Sequence, residues 1–168
     1  AVFLGTTDLE TFGPAVSLFG AEPLTPTEAY RADTGGPAVD HGRLDRLLKA
    51  HVSPEGWVNY TALKADPSEL DAYLAELAAL DFAALSRDEK LVALINAYNA
   101  FTLKLMVERW PVDSIKDIPS AERWKAERWV FGHQTVSLDA IEHQRLRRDF
   151  REPRIHFAIV CASVGCPP

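Results

Sequence analysis

The chain has 168 residues, 47% of them hydrophobic and 25% charged, with 24 acidic against 18 basic side chains and a formal net charge of −6. That length and balance suit one globular domain with one sizeable core, and the scatter of 11 prolines and nine glycines excludes collagen-like and wholly disordered readings. The acidity argues against nucleic-acid binding, which needs a basic footprint, and no continuous apolar run approaches the roughly 20 residues of a membrane helix.

The first stretch, 1–40, is acidic. It holds Asp8, Glu10, Glu22, Glu28, Asp33 and Asp40 against Arg31 alone. Gly13-Pro14, Pro23, Pro26 and Gly35-Gly36-Pro37 break any sustained period, which predicts an extended arm or a solvated tail. Val2-Phe3-Leu4 and Leu18-Phe19 are its candidate apolar anchors.

From residue 41 the pattern sharpens into a domain expected over 41–168. Leu44, Leu47, Leu48 and His51 sit at helical spacing, and Ser53-Pro54-Glu55-Gly56 predicts the turn that ends their helix. Trp57 to Tyr60 is short and β-prone, and a brief helical turn follows through Leu63. Asp66-Pro67 opens a helix whose apolar stripe is Leu70, Tyr73, Leu74, Leu77 and Leu80. Ser86-Arg87-Asp88-Glu89 is a capping box. It launches the longest predicted helix, about 87–110, with Leu91, Leu94, Ile95, Tyr98, Phe101, Thr102 and Leu105 inward and Trp110-Pro111 as its stop.

The period then changes. Trp129 to Phe131 and Thr135-Val136 read as short strands around a Gly132-His133 turn. Ser137 and Asp139 start a further helix to about Arg148. The nearly continuous apolar run from Ile155 to Cys161 reads as a buried central strand. The expected class is α+β: a helix-rich domain packed on a small sheet.

Both cysteines, Cys161 and Cys166, lie in the last eight residues. Cys166 follows the predicted strand, where a thiol becomes a nucleophile if a histidine lowers its pKa. His143, next to Glu142, is the best candidate base, and His156 on the predicted strand is second. Three readings of the cysteines stay open: a nucleophile, a small-loop disulfide, or inert thiols. A zinc site from Cys161, Cys166, His143 and His156 has no recognised spacing and is the weakest option. Asn96 and Asn99 interrupt the longest helix. Asn99 falls on its inner side, where a buried amide must be satisfied, as a helix-to-loop clamp or by orienting a site residue. The run Arg145, Arg147, Arg148, Arg151 and Arg154 is either a solvated face or a subsite for a ligand carboxylate. The glycines form no phosphate-cradling motif, so no nucleotide or other cofactor is expected.

Three stretches carry a resemblance together. They are Glu89-Lys90-Leu91 through Ile95-Asn96-Ala97-Tyr98-Asn99-Ala100 to Ile118, then Ser137-Leu138-Asp139-Ala140-Ile141-Glu142-His143, then Asp149 to Ala158 with Cys161-Ala162-Ser163-Val164-Gly165-Cys166-Pro167-Pro168. In order and spacing they resemble the DUF547 family, a domain of unknown function, over about 41–168. The family's Asn-x-x-Asn falls on Asn96 and Asn99, its Ile-Glu-His on Ile141, Glu142 and His143, and its cysteine motif on Cys161 and Cys166-Pro167-Pro168. Bacterial members are often exported, which implies a periplasmic or extracellular setting. Some eukaryotic relatives join the domain to glutaredoxin-like and DEP domains, which hints at thiol or glutathione chemistry. A distant papain-like relationship implies a permuted order, since His143 precedes Cys166. The family domain normally continues past Cys-Pro-Pro, so the resemblance implies that a C-terminal part is missing or is a separate fragment.

These observations lead to two functional expectations. In the first, Cys166 is the nucleophile of a thiol-dependent hydrolase or acyl-transfer enzyme, His143 its base, and Glu142 or an amide from Asn96 or Asn99 the orienter, with oxyanion donors near Gly165. In the second, the domain is a non-catalytic module for a peptide or glutathione-like ligand. Cys161 and Cys166 then form a structural disulfide, and Arg154, His156, Asn96 and Asn99 line the binding side. A third arrangement pairs the acidic arm with the basic run of its own or a neighbouring chain.

Overall fold

The computed structural model describes residue 33, residues 35–150, residues 152–163 and residue 166. The expected arm anchors at Val2 to Leu4 and Leu18-Phe19, the acidic residues before Asp33, and Arg151, Gly165, Pro167 and Pro168 lie outside the described residues.

Three helices form one side of the core. In α1, Gly42–His51, Leu44 and Leu47 face inward, three residues apart on one side. A turn with Gly56 at φ 87° reverses the chain, and a single bridge pairs Val52 with Val58. The β-prone stretch at 57–60 makes no strand beyond that bridge. Asn59 then caps α2, Tyr60–Ala65, by accepting from the Ala62 amide at 3.0 Å. Helix α3, Ser68–Ala78, buries Leu70, Tyr73 and Leu77. Arg43 of α1 reaches Glu69 and Glu76 of α3 at 2.7 and 2.9 Å, fixing the register of the two helices.

Helix α4, Arg87–Arg109, is the central element. Ser86 accepts from the Glu89 amide at 3.3 Å, one half of the expected capping box, whereas Glu89 Oε2 accepts from the Val39 amide at 3.0 Å, and Asp33 accepts from the Arg87 amide at 2.9 Å. Ala93, Ala97 and Ala100 are fully buried and let neighbouring elements approach closely, while Leu94, Phe101 and Leu105 fill the space between. By length and composition α4 could cross a membrane, with an 18-residue window of mean hydropathy 1.2, yet 61% of that window is buried inside the fold. It is the core helix of this domain, its polar residues spaced so that no continuous apolar run occurs. A cis Trp110–Pro111 bond follows it.

The sheet is a two-stranded antiparallel hairpin of β1, Trp129–Phe131, and β2, Gln134–Val136, with Trp129 opposite Val136. Gly132 and His133 turn it with φ of 55° and 63°, the left-handed pair that a two-residue hairpin requires. Their amides donate to the Leu77 and Ala78 carbonyls at 3.0 and 2.9 Å, so the turn also completes the C-terminal end of α3. A Cβ on Gly132 would meet the Phe82 Cβ at 3.1 Å. Trp129 stacks on Phe101, centroids 5.1 Å apart, and binds the hairpin to α4.

Ser137 caps the next helix by accepting from the Ala140 amide at 3.0 Å. The helix itself, Ala140–Phe150, is π-type, and it buries Ile141, Leu146 and Phe150. It runs antiparallel to α4, because Phe150 meets Arg87 while Glu142 meets Tyr98.

The expected central strand over 155–161 is corrected. Pro153–Phe157 is a 3₁₀ helix with Glu152 as its cap and proline in its first turn. Ile155 and Ile159 are buried at a spacing of four, whereas His156 is exposed and Phe157 is 78% exposed. A strand buries alternate residues or all of them; this segment buries one in four. The fold is therefore helix-rich α+β with a small hairpin, and without a central strand a papain-like arrangement finds no support in it.

Candidate functional site

Two of the three resemblance motifs meet one turn of the third, on α4. Asn99 donates through Nδ2 to the Ala158 carbonyl at 2.8 Å and accepts at Oδ1 from the Val160 amide at 2.9 Å. The amide plane thereby mimics a strand partner and fixes the residues just before Cys161. This is the helix-to-loop clamp expected of Asn99, whose side chain is half-buried rather than fully enclosed. Asn96, one turn earlier and half-buried, takes no part in that pair.

Tyr98, read from the sequence only as a core residue, holds the second motif. Its hydroxyl donates to Glu142 Oε2 at 3.3 Å, and Arg147 donates to Glu142 Oε1 at 2.6 Å. Burial, and then the Glu142 charge, push the Tyr98 phenol well above its ordinary pKa, so it stays a donor. Its place beside Asn99 in Asn-Ala-Tyr-Asn was the available signal.

Glu142 is thus spent on Tyr98 and Arg147 rather than on its neighbour His143. The His143 ring is 48% exposed, and its Nε2 lies 3.9 Å from Asp139 Oδ1, beyond hydrogen-bond reach. Among the described residues no hydrogen bond joins His143 to Cys166.

Cys166 forms a disulfide with Cys161, their Cα atoms 6.3 Å apart. The Cys166 amide donates to the Ser163 carbonyl at 2.9 Å, and Ala162, the residue before Ser163, takes φ 54°. The Cys161 amide points at Cys166 Sγ at 3.1 Å. This bonded pair fits an oxidising compartment.

His156 is exposed on the 3₁₀ helix instead of lying on a buried strand. Arg154 spends Nε and Nη2 on Glu152 at 2.9 and 2.7 Å, and its amide donates to the same carboxylate at 2.9 Å. Burial alone would raise the Glu152 pKa, but these Arg154 hydrogen bonds and charge outweigh it and hold the carboxyl below its ordinary value. The basic run is correspondingly divided: Arg147 pairs with Glu142, Arg148 with Asp149, and Arg145 with the neutral amide of Gln134. Among the described residues no group of three or more His, Cys, Asp or Glu could hold a metal ion.

A family model described as a protein of unknown function, DUF547, matches residues 82–168, slightly more than half of the chain. No curated protein matches it, and no solved structure does. The matched span contains the α4 turn, the Tyr98–Glu142 contact, the Asn99 clamp and both cysteines.

Proposed function

The chain belongs to the DUF547 family, of unknown function, and from that premise we propose that it works as a non-catalytic binding module for a carboxylate-bearing peptide or glutathione-like ligand. The observation that carries this reading is the Cys161–Cys166 disulfide, which removes both thiols from nucleophilic chemistry and turns the cysteine motif into a staple. The clamp from Asn99 points the same way: it commits one donor and one acceptor of its amide to holding backbone in place. The basic run supplies the charge that a carboxylate needs. An exported setting, periplasmic or extracellular, accompanies this reading, since the staple persists where thiols are oxidised.

A second reading, the thiol hydrolase or acyl-transfer enzyme, is favoured by one observation. Consecutive residues of α4, Tyr98 and Asn99, hold the Glu142-His143 segment and the cysteine segment. It requires a dithiol or glutathione to reduce the disulfide and release Cys166, with His143 swinging from Asp139 to act as base.

Iodoacetamide labelling against pH, with peptide mapping on the unreduced full chain, decides between them. The module reading expects neither cysteine to label until reductant is added. Fast labelling of Cys166 with an apparent pKa well below about 8.5 contradicts it and favours the enzyme.

A further inference from the structure

The packing of α4 against the 140–150 helix is closed at both ends and open between them. Arg87 closes one end, donating to the Phe150 carbonyl at 3.1 Å with its guanidinium 5.2 Å from the Phe150 ring centroid. The Tyr98–Glu142 hydrogen bond closes the other. Between them lies a cleft of about 330 Å³, at the small end of the roughly 300–1,000 Å³ of ligand sites. Phe82, Leu94 and Phe150 form its apolar floor, and Lys90, Arg145 and Arg148 its cationic rim.

That rim is positive on an acidic chain. One lining carboxylate, Asp149, faces the three cations, and Arg148 already pairs with it at 2.8 Å. Lys90 and Arg145 have no carboxylate within ion-pair distance among the described residues. Lys90 Nζ and the Arg145 guanidinium stand instead 5.8 and 5.6 Å from the centroid of the same Phe82 ring. An aromatic face attracts cations without neutralising them, and Arg145, which gives one N–H to the neutral Gln134 amide at 2.7 Å, keeps its charge. Both side chains are half-buried and line the cleft, so an anion entering it meets partly desolvated charge, where a charge-assisted hydrogen bond is strong.

We propose that this cleft captures the free C-terminal carboxylate of a peptide whose last side chain is large and apolar; this rests on the binding-module reading and gives it a site. Lys90 and Arg145 take the carboxylate oxygens. The last side chain lies against Phe82, Leu94 and Phe150, and the preceding peptide leaves past exposed Gln144 and Arg148. A bare inorganic anion leaves the floor wet, and an uncharged apolar group leaves the two cations unpaired.

The test titrates the unreduced full chain with N-acetylphenylalanine, its carboxamide, and N-acetyl-Gly-Gly-Phe. The acid is expected to saturate with a Kd of about 1 mM or tighter, as suits so small a ligand. The tripeptide binds at least as tightly, and the carboxamide at least about tenfold more weakly, the loss expected for charge-assisted bonds. Lys90→Gln with Arg145→Gln weakens the acid by a similar factor and leaves the carboxamide's affinity and the thermal melt in place. Equal affinity for acid and carboxamide, or no saturation by the acid, overturns the proposal. So does binding of N-acetylphenylalanine with the tripeptide excluded, which assigns a small carboxylate instead of a peptide end. Cysteine labelling read on the same sample separates the claims. Freely labelled Cys166 with acid-selective binding removes the staple and keeps the cleft; joined cysteines without acid binding remove the cleft alone.

Discussion

Truncating Asn99 to alanine strips partners from the Ala158 carbonyl and the Val160 amide, both in a part-buried position. Leaving such groups unpaired costs about 1–3 kcal/mol, so Asn99→Ala is expected to lower unfolding free energy by about 2 kcal/mol in urea denaturation, with an unchanged slope. His41 makes a second residue-level prediction. Its Nδ1 lies 2.7 Å from the Tyr73 hydroxyl, and burial, against the opposing pull of Glu89 and Asp40, holds its pKa below the ordinary 6.5. The unfolded chain therefore binds the proton first, and stability falls as pH drops below about 6.5 toward the folded value. His41→Phe, which keeps a ring against Tyr73, should remove that part of the stability loss between pH 7 and 5 in denaturant melts. Glu152 acts lower on the scale. Its depressed pKa stabilises the fold above the ordinary carboxylate range, and that contribution is lost as pH falls through the folded value. Glu152→Gln should flatten the acid limb of the same profile.

Elements were legible where local chemistry and burial agreed. Ser86-Arg87-Asp88-Glu89 marked the start of α4 and Trp110-Pro111 its end, and both stand within a residue of the observed Arg87–Arg109. The prediction at this scale is that Ser86→Ala lowers stability by about 1 kcal/mol, measured by thermal melt. The Arg87 amide keeps its own acceptor, Asp33, in that variant, so the loss is confined to the Glu89 amide. Gly132-His133 between β-prone pairs was likewise enough to place the hairpin. The segment after Pro153 misled because composition and position conflict. Ile155, Phe157, Ile159 and Val160 suit a buried strand, yet Pro153 and the Glu152 cap start a 3₁₀ turn, and no strand among the described residues pairs with it. The burial of Ile155 and Ile159 is a helical signal, which a run of apolar residues obscures.

At the scale of the molecule, what brings the motifs together is sequence-distant. Asn99 reaches Ala158 and Val160, and Tyr98 reaches Glu142, across gaps of 59, 61 and 44 residues. Sequence named the motifs by their resemblance, and its reading of Asn99 as a clamp followed from one rule about buried amides. It left the cysteines open, since a spacing of five permits bonded and free pairs alike. The cleft was not legible at all: Phe82 and Lys90 are separated from Arg145 by most of α4 and the hairpin, and only the antiparallel docking joins them. The Cys161–Cys166 link spans a sequence separation of five, a small loop worth roughly 2 kcal/mol in the chain-entropy account. Reductant should therefore lower stability by about that amount without abolishing folding, as read by denaturant titration with and without dithiothreitol.

Everything proposed for the cysteine motif depends on α4 holding it in place, and amide hydrogen exchange at Val160 reads that hold directly. In the unreduced full chain the Val160 amide, donated to Asn99 Oδ1 at 2.9 Å, is expected to exchange slowly. In Asn99→Ala its protection should fall by at least about tenfold, the equivalent of about 1.4 kcal/mol, more than at the amides of α3. Exchange at the rate of a free amide in the wild type, or equal protection in both proteins, contradicts the clamp and with it the stapled binding module.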